Sequence, residues 1–359
     1  MNFNQKFSHI KYLTNIRRFR GIKKTRFNKI RLDANERISN FSKKFISNFK
    51  NKINSNYLTS YPETEQIYKL LAKNFGLKPK NYFITAGSDI AIRHCFELFV
   101  KKGTHIICLD PTFGMYGVYS KIFRAKVTEI NYDKKLNLNF SKLLKSINKK
   151  TSFVIFANPN SPTGTIIESN KILKIIHKAR QNNCFVIIDE AYFGFYKKSY
   201  LNYVNKFKNL IIIRTFSKSL GLAGIRAGYL ISNEKLIDKL YKFRPMYEIN
   251  SFAVLLIREI LKNKEEYMKY IKDTLSGKKY LQAQLSKLNL NYYRTYANFM
   301  LIDFKTPLQQ KKVYNYLNSK KILARFPPSI SACKNHLRFT LGPEKYMKIL
   351  VKNLKKIIK

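Results

Sequence analysis

The stretch NLIIIRTFSKSLGLAGIRAGYLI, residues 209–231, holds two apolar runs, 209–213 and 227–231, separated by a polar segment that contains two glycines. Its first run, residues 209–213, is almost entirely apolar, which is typical of a strand covered on both faces of a parallel sheet. Ser217, Lys218 and Arg226 follow this run. Because ligands of open α/β sheets bind beyond the carboxyl ends of the strands, these three side chains are candidate binding residues.

The same arrangement recurs along the chain from about residue 81. Short apolar runs alternate with amphipathic stretches of helical length, such as residues 88–100 and 169–181, and this alternation predicts right-handed crossovers between parallel strands. We therefore predict an α/β fold with a mostly parallel central sheet and helices on both faces. The predicted strands are residues 82–85, 105–109, 152–157, 185–188, 209–213 and 227–231.

The sequence pattern changes near residue 250. Residues 251–288 have helical periodicity with an expected interruption near Ser276-Gly277, and the rest of the chain predicts short strands between helices. The predicted elements of this part are strands 300–304, 322–325 and 337–341, a helix over 306–320 and a basic terminal helix. We predict an N-terminal arm that packs on the small domain or a partner, a large ligand-binding domain and a small α+β domain, covering 1–45, 46–250 and 251–359.

The 359-residue chain carries a formal net charge of +48, and 45% of its residues are hydrophobic, as in a globular protein. This charge raises the hypothesis of a basic nucleic-acid-binding protein. Against that hypothesis, the lysines are spread over the whole chain and outnumber the arginines that bidentate recognition of bases and phosphates favours. We predict a solvated basic surface without a specific nucleic-acid partner.

Four cysteines, Cys95, Cys108, Cys184 and Cys333, are scattered and form no CxxC or CxxH pair. We therefore expect neither a metal site nor a disulfide framework. No apolar stretch is long enough to cross a bilayer, and the N-terminus lacks the apolar segment of a secretory signal. These features predict a soluble cytoplasmic protein with no membrane partner.

Polar residues that suit one ligand follow the predicted strands. Gly87-Ser88-Asp89 opens a helix and predicts an anion site, to which Ser217 and Arg226 add a hydroxyl and a guanidinium. Asp189, at a buried strand end, is suited to a cation such as a protonated ring nitrogen. Tyr192, three residues later, is suited to donate to a phenolic oxygen.

Two further residues complete this set. Phe113 offers a flat face for a ring, and Lys218 is an amine among cationic and apolar neighbours, which would lower its pKa and make it nucleophilic. A phosphate, an aromatic ring, a ring nitrogen and an aldehyde that reacts with an amine together describe pyridoxal 5'-phosphate (PLP). The sequence therefore predicts PLP as the cofactor.

Taken in order, the motifs resemble those of the fold-type I PLP enzymes, in particular the class I/II aminotransferases of the histidinol-phosphate type. The resemblance covers most of the chain. It is carried by Leu32-Asp33-Ala34-Asn35-Glu36, Tyr61-Pro62-Glu63, the five strand-end motifs, Ala297-Asn298-Phe299 and Leu337-Arg338-Phe339-Thr340.

The resemblance implies a cofactor-binding role for each matching residue. Lys218 resembles the catalytic lysine that carries the cofactor, Asp189 the partner of its ring nitrogen, and Tyr192 the hydrogen-bond donor to its ring hydroxyl oxygen. Phe113 is similar to the aromatic residue that stacks on the ring. The residues that resemble the phosphate-binding set are Gly87, Ser88, Asp89, Ser217 and Arg226.

The resemblance also implies a partner and a substrate site. Tyr61 resembles a tyrosine that reaches the cofactor phosphate of the other subunit, which implies a homodimer. Arg338 is similar to the arginine that binds the acidic group of the substrate, and Arg325 to its helper at the phosphate end. Asn35 matches a further substrate-binding position.

The chain departs from the family pattern in two places. Ser161 occupies the position of the asparagine that bonds the cofactor ring oxygen, and Asn160 lies one residue earlier, so both are candidates for this bond. Ile90 follows Asp89 where the family often has glutamate. Residues 326–329 are the expected place for differences in substrate choice.

The resemblance implies transfer of an amino group between a glutamate-type donor and a small phosphorylated keto substrate of the histidinol-phosphate type. Two alternatives keep the cofactor: decarboxylation of a phosphorylated amino acid, and transamination of another substrate, for example in surface-polysaccharide synthesis. They stay open because the bond that breaks depends on how the arginines are placed. A basic nucleic-acid-binding protein is the distant alternative.

Overall fold

The computed structural model describes residues 8–14, 16, 26–327 and 333–358. Much of the predicted N-terminal arm, together with Pro328 and Ser329, lies outside these residues. The strands of the described residues are β1 (Ile30–Arg31), β2 (Tyr82–Thr85), β3 (His105–Asp110), β4 (Lys126–Asn131), β5 (Thr151–Ala157), β6 (Phe185–Asp189), β7 (Leu210–Thr215), β8 (Gly228–Ile231), β9 (Phe299–Asp303), β10 (Ile322–Leu323) and β11 (His336–Thr340). Every predicted strand is confirmed to within two residues.

Seven of these strands form one central sheet in the order β2-β8-β7-β6-β5-β3-β4. The neighbours from β7 to β4 are all parallel, and β8 is antiparallel to both β2 and β7. This confirms the predicted mostly parallel sheet. The sequence did not predict β4 because it is an edge strand whose residues, Lys126–Asn131, are mostly exposed and polar.

Helices cover both faces of the sheet because alternate residues of each strand point to opposite sides. Val154 and Val186 pack in one hydrophobic layer, and their neighbours Ile155 and Ile187 pack in the other. The first layer also contains Cys184, and the second contains the two cysteines Cys95 and Cys108. Together with Cys333, all four thiols are free and buried.

The helices begin and end largely where the sequence predicts them. Asn250 and Thr306 cap two of them by accepting hydrogen bonds from the backbone N–H of Ala253 and Gln309, the usual role of such residues at helix starts. The α-helices of the described residues are Lys43–Lys50, Asn56–Thr59, Glu65–Phe75, Ser88–Phe99, Gly114–Ile122, Phe140–Ser146, Ser169–Gln181, Glu234–Leu240, Ser251–Lys262, Lys264–Lys287, Pro307–Ser319 and Glu344–Ile358.

The predicted helix interruption at Ser276-Gly277 is wrong. The helix Lys264–Lys287 runs through these residues, and the break lies earlier, at Asn263. Gly277 is present because a Cβ there would overlap the carbonyl oxygen of Gly342, so the glycine permits close packing against the chain before the terminal helix. Glycine inside a helix often has such a packing reason.

The C-terminal strands form two small ladders. β11 pairs antiparallel with β9, and β10 pairs parallel with the short N-terminal strand β1. Leu32 and Ile38 therefore pack in a hydrophobic cluster with C-terminal residues such as Phe339. Ile257 and Ile260, beyond the predicted boundary at residue 250, pack in the first layer of the central sheet. The division at 45 and 250 stays a prediction.

Within the described parts of the chain, no helix combines the length and the apolar character that a membrane span requires.

Candidate active site

A cavity of about 830 Å³ opens at the carboxyl ends of the central strands. Its other side is lined by residues 34–36, near the N-terminus, and by residues around β11, such as Arg338. The N-terminal and C-terminal parts of the chain therefore meet at the end of the central sheet. The predicted site residues that line it are Asn35, Ser88, Asp89, Phe113, Ser161, Asp189, Tyr192, Ser217, Lys218, Arg226, Arg325 and Arg338. Gly87, Asn160 and Tyr61 are not among the lining residues.

Lys218 lies three residues after the end of β7. Its Nζ donates a hydrogen bond of 3.3 Å to the carbonyl oxygen of Ala34. Burial, and then the nearby guanidinium of Arg338, lower the pKa of Lys218 from 10.5 to about 8. Near neutral pH the neutral, nucleophilic amine is therefore populated at roughly a tenth to a quarter instead of below about a thousandth.

Asp189 is the last residue of β6 and is buried. Its Oδ2 accepts a hydrogen bond of 2.9 Å from the hydroxyl of Tyr116, and its Oδ1 accepts one of 2.9 Å from the backbone N–H of Ala191. Burial raises the pKa of Asp189 to about 6, against the lowering effect of these donors. The carboxylate therefore remains ionised at neutral pH and is suited to hold a buried cation.

An anion-binding corner lies where the helix Ser88–Phe99 begins. Gly87 adopts φ +97°, which favours glycine, and turns the chain so that the helix N-terminus faces the cavity. Arg226 lies against this turn, and its Nη1 is 3.4 Å from the Oγ of Ser217. The hydroxyls of Ser88 and Ser217 and the guanidinium of Arg226 border the cavity. The Asp89 carboxylate accepts a hydrogen bond of 3.1 Å from Tyr119.

The side chain of Asn160 is fully engaged inside the protein. Its Nδ2 donates to the carbonyl oxygen of Pro111 at 2.8 Å and to the Oγ1 of Thr163 at 2.9 Å, and its Oδ1 accepts from the Oγ1 of Thr112 at 2.9 Å. The residue is 1% exposed. Asn160 therefore stabilises its own loop and has no free group to bind a ligand.

Ser161, in contrast, borders the cavity and hydrogen-bonds to the hydroxyl of Tyr192. The same hydroxyl accepts a hydrogen bond of 3.0 Å from the Nδ2 of Asn35. Asn35 has φ 54°, and its backbone N–H donates to the Oγ1 of Thr340 at 2.9 Å. The N-terminal residue Asn35 thereby connects Tyr192 with β11.

Two arginines from the C-terminal part of the chain form a cationic end of the cavity. Arg325 and Arg338 exchange two backbone hydrogen bonds, of 3.1 and 2.8 Å, which place both side chains beside the cavity. The Nη2 of Arg338 donates to the carbonyl oxygen of Asp33 at 2.9 Å, whereas its buried Nε has no partner among the described residues. This end of the cavity is suited to an anion with several oxygens.

Phe113 and Tyr61 occupy different environments. The ring of Phe113 borders the cavity, 37% exposed, and contacts the ring of Tyr116 edge to face at 5.8 Å. Tyr61 lies away from the cavity on the surface, 73% exposed, and stacks on Tyr247 with 4.0 Å between ring centroids. The structure therefore brings Phe113 into the site of its own chain but not Tyr61.

Sequence reasoning gave no role to two groups that the structure brings to the site. Tyr116 lies three residues after Phe113, so one helical turn separates them, and that spacing could have indicated a shared face. The carbonyl oxygens of Asp33 and Ala34 act through the backbone, and no side-chain pattern reveals such a contact.

The family profile of the class I and II aminotransferases matches residues 28–354 of the chain. A histidinol-phosphate aminotransferase of Clostridium novyi (strain NT) is 36% identical over 278 residues, which cover 76% of this chain and 77% of that protein. A histidinol-phosphate aminotransferase of Pyrococcus furiosus is 32% identical over 83% of each chain.

Solved structures have the same fold. The histidinol-phosphate aminotransferase of Clostridium acetobutylicum is similar with a TM-score of 0.81 and 24% identity, covering 91% of this chain and 98% of that one. The histidinol-phosphate aminotransferase of Sinorhizobium meliloti, solved in complex with pyridoxal-5'-phosphate, has a TM-score of 0.81 and 19% identity, covering 91% and 90%. The profile match and the relatives together show that the chain belongs to the class I and II aminotransferases.

Proposed function

We propose that the chain is a PLP-dependent aminotransferase of the histidinol-phosphate type. The observation that carries the proposal is the convergence, in one cavity, of a lysine with a lowered pKa, a buried carboxylate and an anion-binding helix start. The named relatives at 36% and 32% identity support the same substrate class.

The residues of the cavity fit PLP in charge and chemistry. Ser88, Ser217 and Arg226 supply two hydroxyls, a helix N-terminus and a guanidinium for the phosphate. Asp189 supplies a buried carboxylate for the protonated ring nitrogen, and Phe113 an aromatic face for the ring. This donor set leaves each charged group of the cofactor with an opposite charge or a hydrogen-bond donor.

We assign the contact with the ring oxygen to Tyr192 and Ser161. Both border the cavity, and their hydroxyls are hydrogen-bonded to each other. Asn160 is excluded from this contact because its amide already binds its own loop. A serine reaches less far than asparagine, so Asn35, which donates to Tyr192, compensates by holding the phenol in place.

When bound, PLP withdraws electrons from the carbon atoms of the amino substrate and so makes transfer of the amino group possible. Lys218 is the base and acid of this reaction, because its Nζ changes protonation near pH 8 and lies inside the cavity. Asp189 holds the proton at the ring nitrogen. Tyr116 keeps Asp189 ionised by donating a hydrogen bond to it.

Arg325 and Arg338 bind the anionic end of the substrate. Two guanidiniums beside one cavity suit a phosphate of charge near −2, and a carboxylate donor such as glutamate uses the same cations in the other half-reaction. A phosphorylated keto acceptor and a glutamate-type donor are therefore the proposed substrates.

The alternatives have less support. Decarboxylation of a phosphorylated amino acid, or transamination in surface-polysaccharide synthesis, would use the same lysine and carboxylate, but the named curated relatives are histidinol-phosphate aminotransferases. A nucleic-acid-binding function gives no reason for Asp189, Tyr192 and Lys218 to meet in one cavity. A cytoplasmic location remains our prediction from the sequence.

We also propose a homodimer in which Tyr61 contributes to the site of the partner. Tyr61 is 73% exposed and stacks on Tyr247, which is 47% exposed, so the two rings form an exposed apolar patch of the kind that marks interaction sites. Mixed dimers test this assignment. Inactive Lys218→Ala and impaired Tyr61→Ala chains should together regain activity if Tyr61 acts across the interface, and should not if it acts within its own chain.

Absorbance and activity of the purified protein test the main proposal. We expect the wild type to show a visible absorbance band. Lys218→Ala should abolish this band and lower the activity roughly a thousandfold or more. Lys44→Ala, which replaces an exposed lysine outside the cavity, is the matched control. A panel of keto acceptors and amino donors, with carbon dioxide release measured in parallel, separates transamination from decarboxylation. A colourless protein that added PLP cannot change would refute the proposal.

A further inference from the structure

Two carboxylates lie beside the cationic end of the cavity without neutralising it. Residues 33–36 form a segment that we call the strap, and Asp33 and Glu36 are its two ends. Ala34, Asn35 and Glu36 border the cavity directly. Buried cations are normally paired with carboxylates of the same chain, because an unpaired buried charge is costly. The nearest acids are therefore expected to pair with the cavity cations.

The structure shows the reverse arrangement. Arg338 contacts Asp33 through the backbone carbonyl oxygen at 2.9 Å, and Lys218 contacts the carbonyl oxygen of Ala34 at 3.3 Å. Among the described residues, no salt bridge joins Arg338 or Lys218 to a carboxylate. Burial lowers the pKa of Arg338, and Tyr192 and then Asp33 offset only part of this effect.

Arg26 binds both carboxylates instead. Its Nη2 lies 2.6 Å from Asp33 Oδ1 and 3.1 Å from Glu36 Oε1, and its Nε lies 3.2 Å from Asp33 Oδ2. Arg31 adds a second contact to Glu36, at 2.7 Å from Nε to Oε1. Arg26 is the one ionic partner recorded for Asp33 in the described chain.

This ion pair differs from an ordinary surface pair. The side chains of Arg26, Asp33 and Glu36 are each only 19% exposed, and Arg26 binds Asp33 through two nitrogens. Bidentate, partly buried pairs of this kind hold a fixed geometry, whereas exposed single contacts contribute little. Arg26 is therefore able to set where the two carboxylates point.

We propose that Arg26 is a positioning residue that holds the carboxylates of Asp33 and Glu36 away from Arg338, so that this arginine stays free for the anionic substrate. Without Arg26, Asp33 turns toward Arg338 and competes with the substrate phosphate. The inference rests on the proposed function. It adds a residue that does not contact the substrate but acts on substrate binding through Asp33 and Glu36.

Steady-state kinetics of the holoenzyme with the phosphorylated acceptor test this role. For Arg26→Met we expect KM to rise roughly tenfold with kcat changed less than about threefold, because the competing carboxylate weakens substrate binding rather than the proton transfer. Inorganic phosphate, used as a competitive inhibitor, should lose affinity by a similar factor. Lys269→Met, which removes an exposed ion pair with Asp273, is the control and should change neither value.

A second variant separates competition from simple loss of structure. In Arg26→Met with Asp33→Asn, the competing charge is absent, and KM should return to within about threefold of the wild type. If KM stays raised in the double variant, or if Arg26→Met leaves KM unchanged, the proposal is overturned. Should Arg26→Met not fold, Arg26→Lys is used, and a smaller KM rise that Asp33→Asn reverses is expected.

The proposed function and this inference can fail separately. If the wild-type protein catalyses no transamination, the proposed function fails. Calorimetric binding of inorganic phosphate to the same variants then still measures access to Arg338, with Arg338→Met defining the contribution of that arginine. Equal phosphate affinity in wild type and Arg26→Met would overturn the inference.

Discussion

Lys218→Met is predicted to stabilise the cofactor-free chain while removing its activity. Burial and Arg338 lower the pKa of Lys218 from 10.5 to about 8. At about 1.4 kcal/mol per pH unit, the charged amine therefore costs up to about 3 kcal/mol of folding free energy. Because the side chain is only partly buried and donates one hydrogen bond to Ala34, we expect methionine to add about 2 kcal/mol.

The gain is predicted to depend on pH, because only the charged amine is costly. Below about pH 8, Lys218 is protonated in both the folded and the unfolded chain, so the full gain is expected. Between about pH 8 and 10.5, the folded chain loses this proton first. The free energy of unfolding of the wild type therefore rises relative to that of Lys218→Met, and the gain disappears above this range.

Urea unfolding of both proteins without PLP, followed by circular dichroism at about pH 7 and about pH 10, measures the difference. Lys44→Met, on the exposed face of the helix Lys43–Lys50, is the control and should change the free energy of unfolding by less than about 0.5 kcal/mol. A variant that is no more stable than the wild type at pH 7, or equally stabilised at both pH values, would refute the reasoning.

Three other substitutions have defined outcomes. Tyr116→Phe removes a donor that lowers the pKa of Asp189, so the acidic limb of the kcat/KM profile should move upward by about half to one pH unit; an unmoved limb would contradict this. Ser161→Ala should weaken PLP binding roughly threefold to tenfold in an equilibrium titration, and unchanged binding would exclude a contact. Gly277→Ala should lower the free energy of unfolding by about 2–4 kcal/mol in urea, because its Cβ would overlap the carbonyl oxygen of Gly342; a neutral result would show that the helices can separate.

The sequence predicted the central sheet because its inner strands are apolar runs too short for helices, and these runs alternate with amphipathic stretches of helical length. The residues that follow these runs, such as Asp189 and Lys218, could be placed in one cavity because parallel strands end at the same edge. The edge strand Lys126–Asn131 escaped prediction because its exposed residues carry no apolar signal.

Other features could not be read from the sequence because they depend on contacts between distant residues. Gly277 was read as a helix break, but its partner Gly342 lies 65 positions later and is known only from the fold. Asn160 and Ser161 were equal candidates until the loop contacts of Asn160 were visible. The position of Asp33 relative to Arg338 likewise could not be predicted, because it depends on the pairing of the N-terminal strand β1 with the C-terminal strand β10.

The buried thiols have a consequence for measurement of the fold in solution. Burial raises the pKa of Cys333 to about 11, and the three other cysteines, Cys95, Cys108 and Cys184, are buried in the two layers of the sheet. Thiolate is the reactive form, so alkylating reagents should modify these residues only in transiently opened molecules. Comparing the alkylation rate of Cys184 with the rates of Cys95 and Cys108 then shows whether the two faces of the sheet open together or separately.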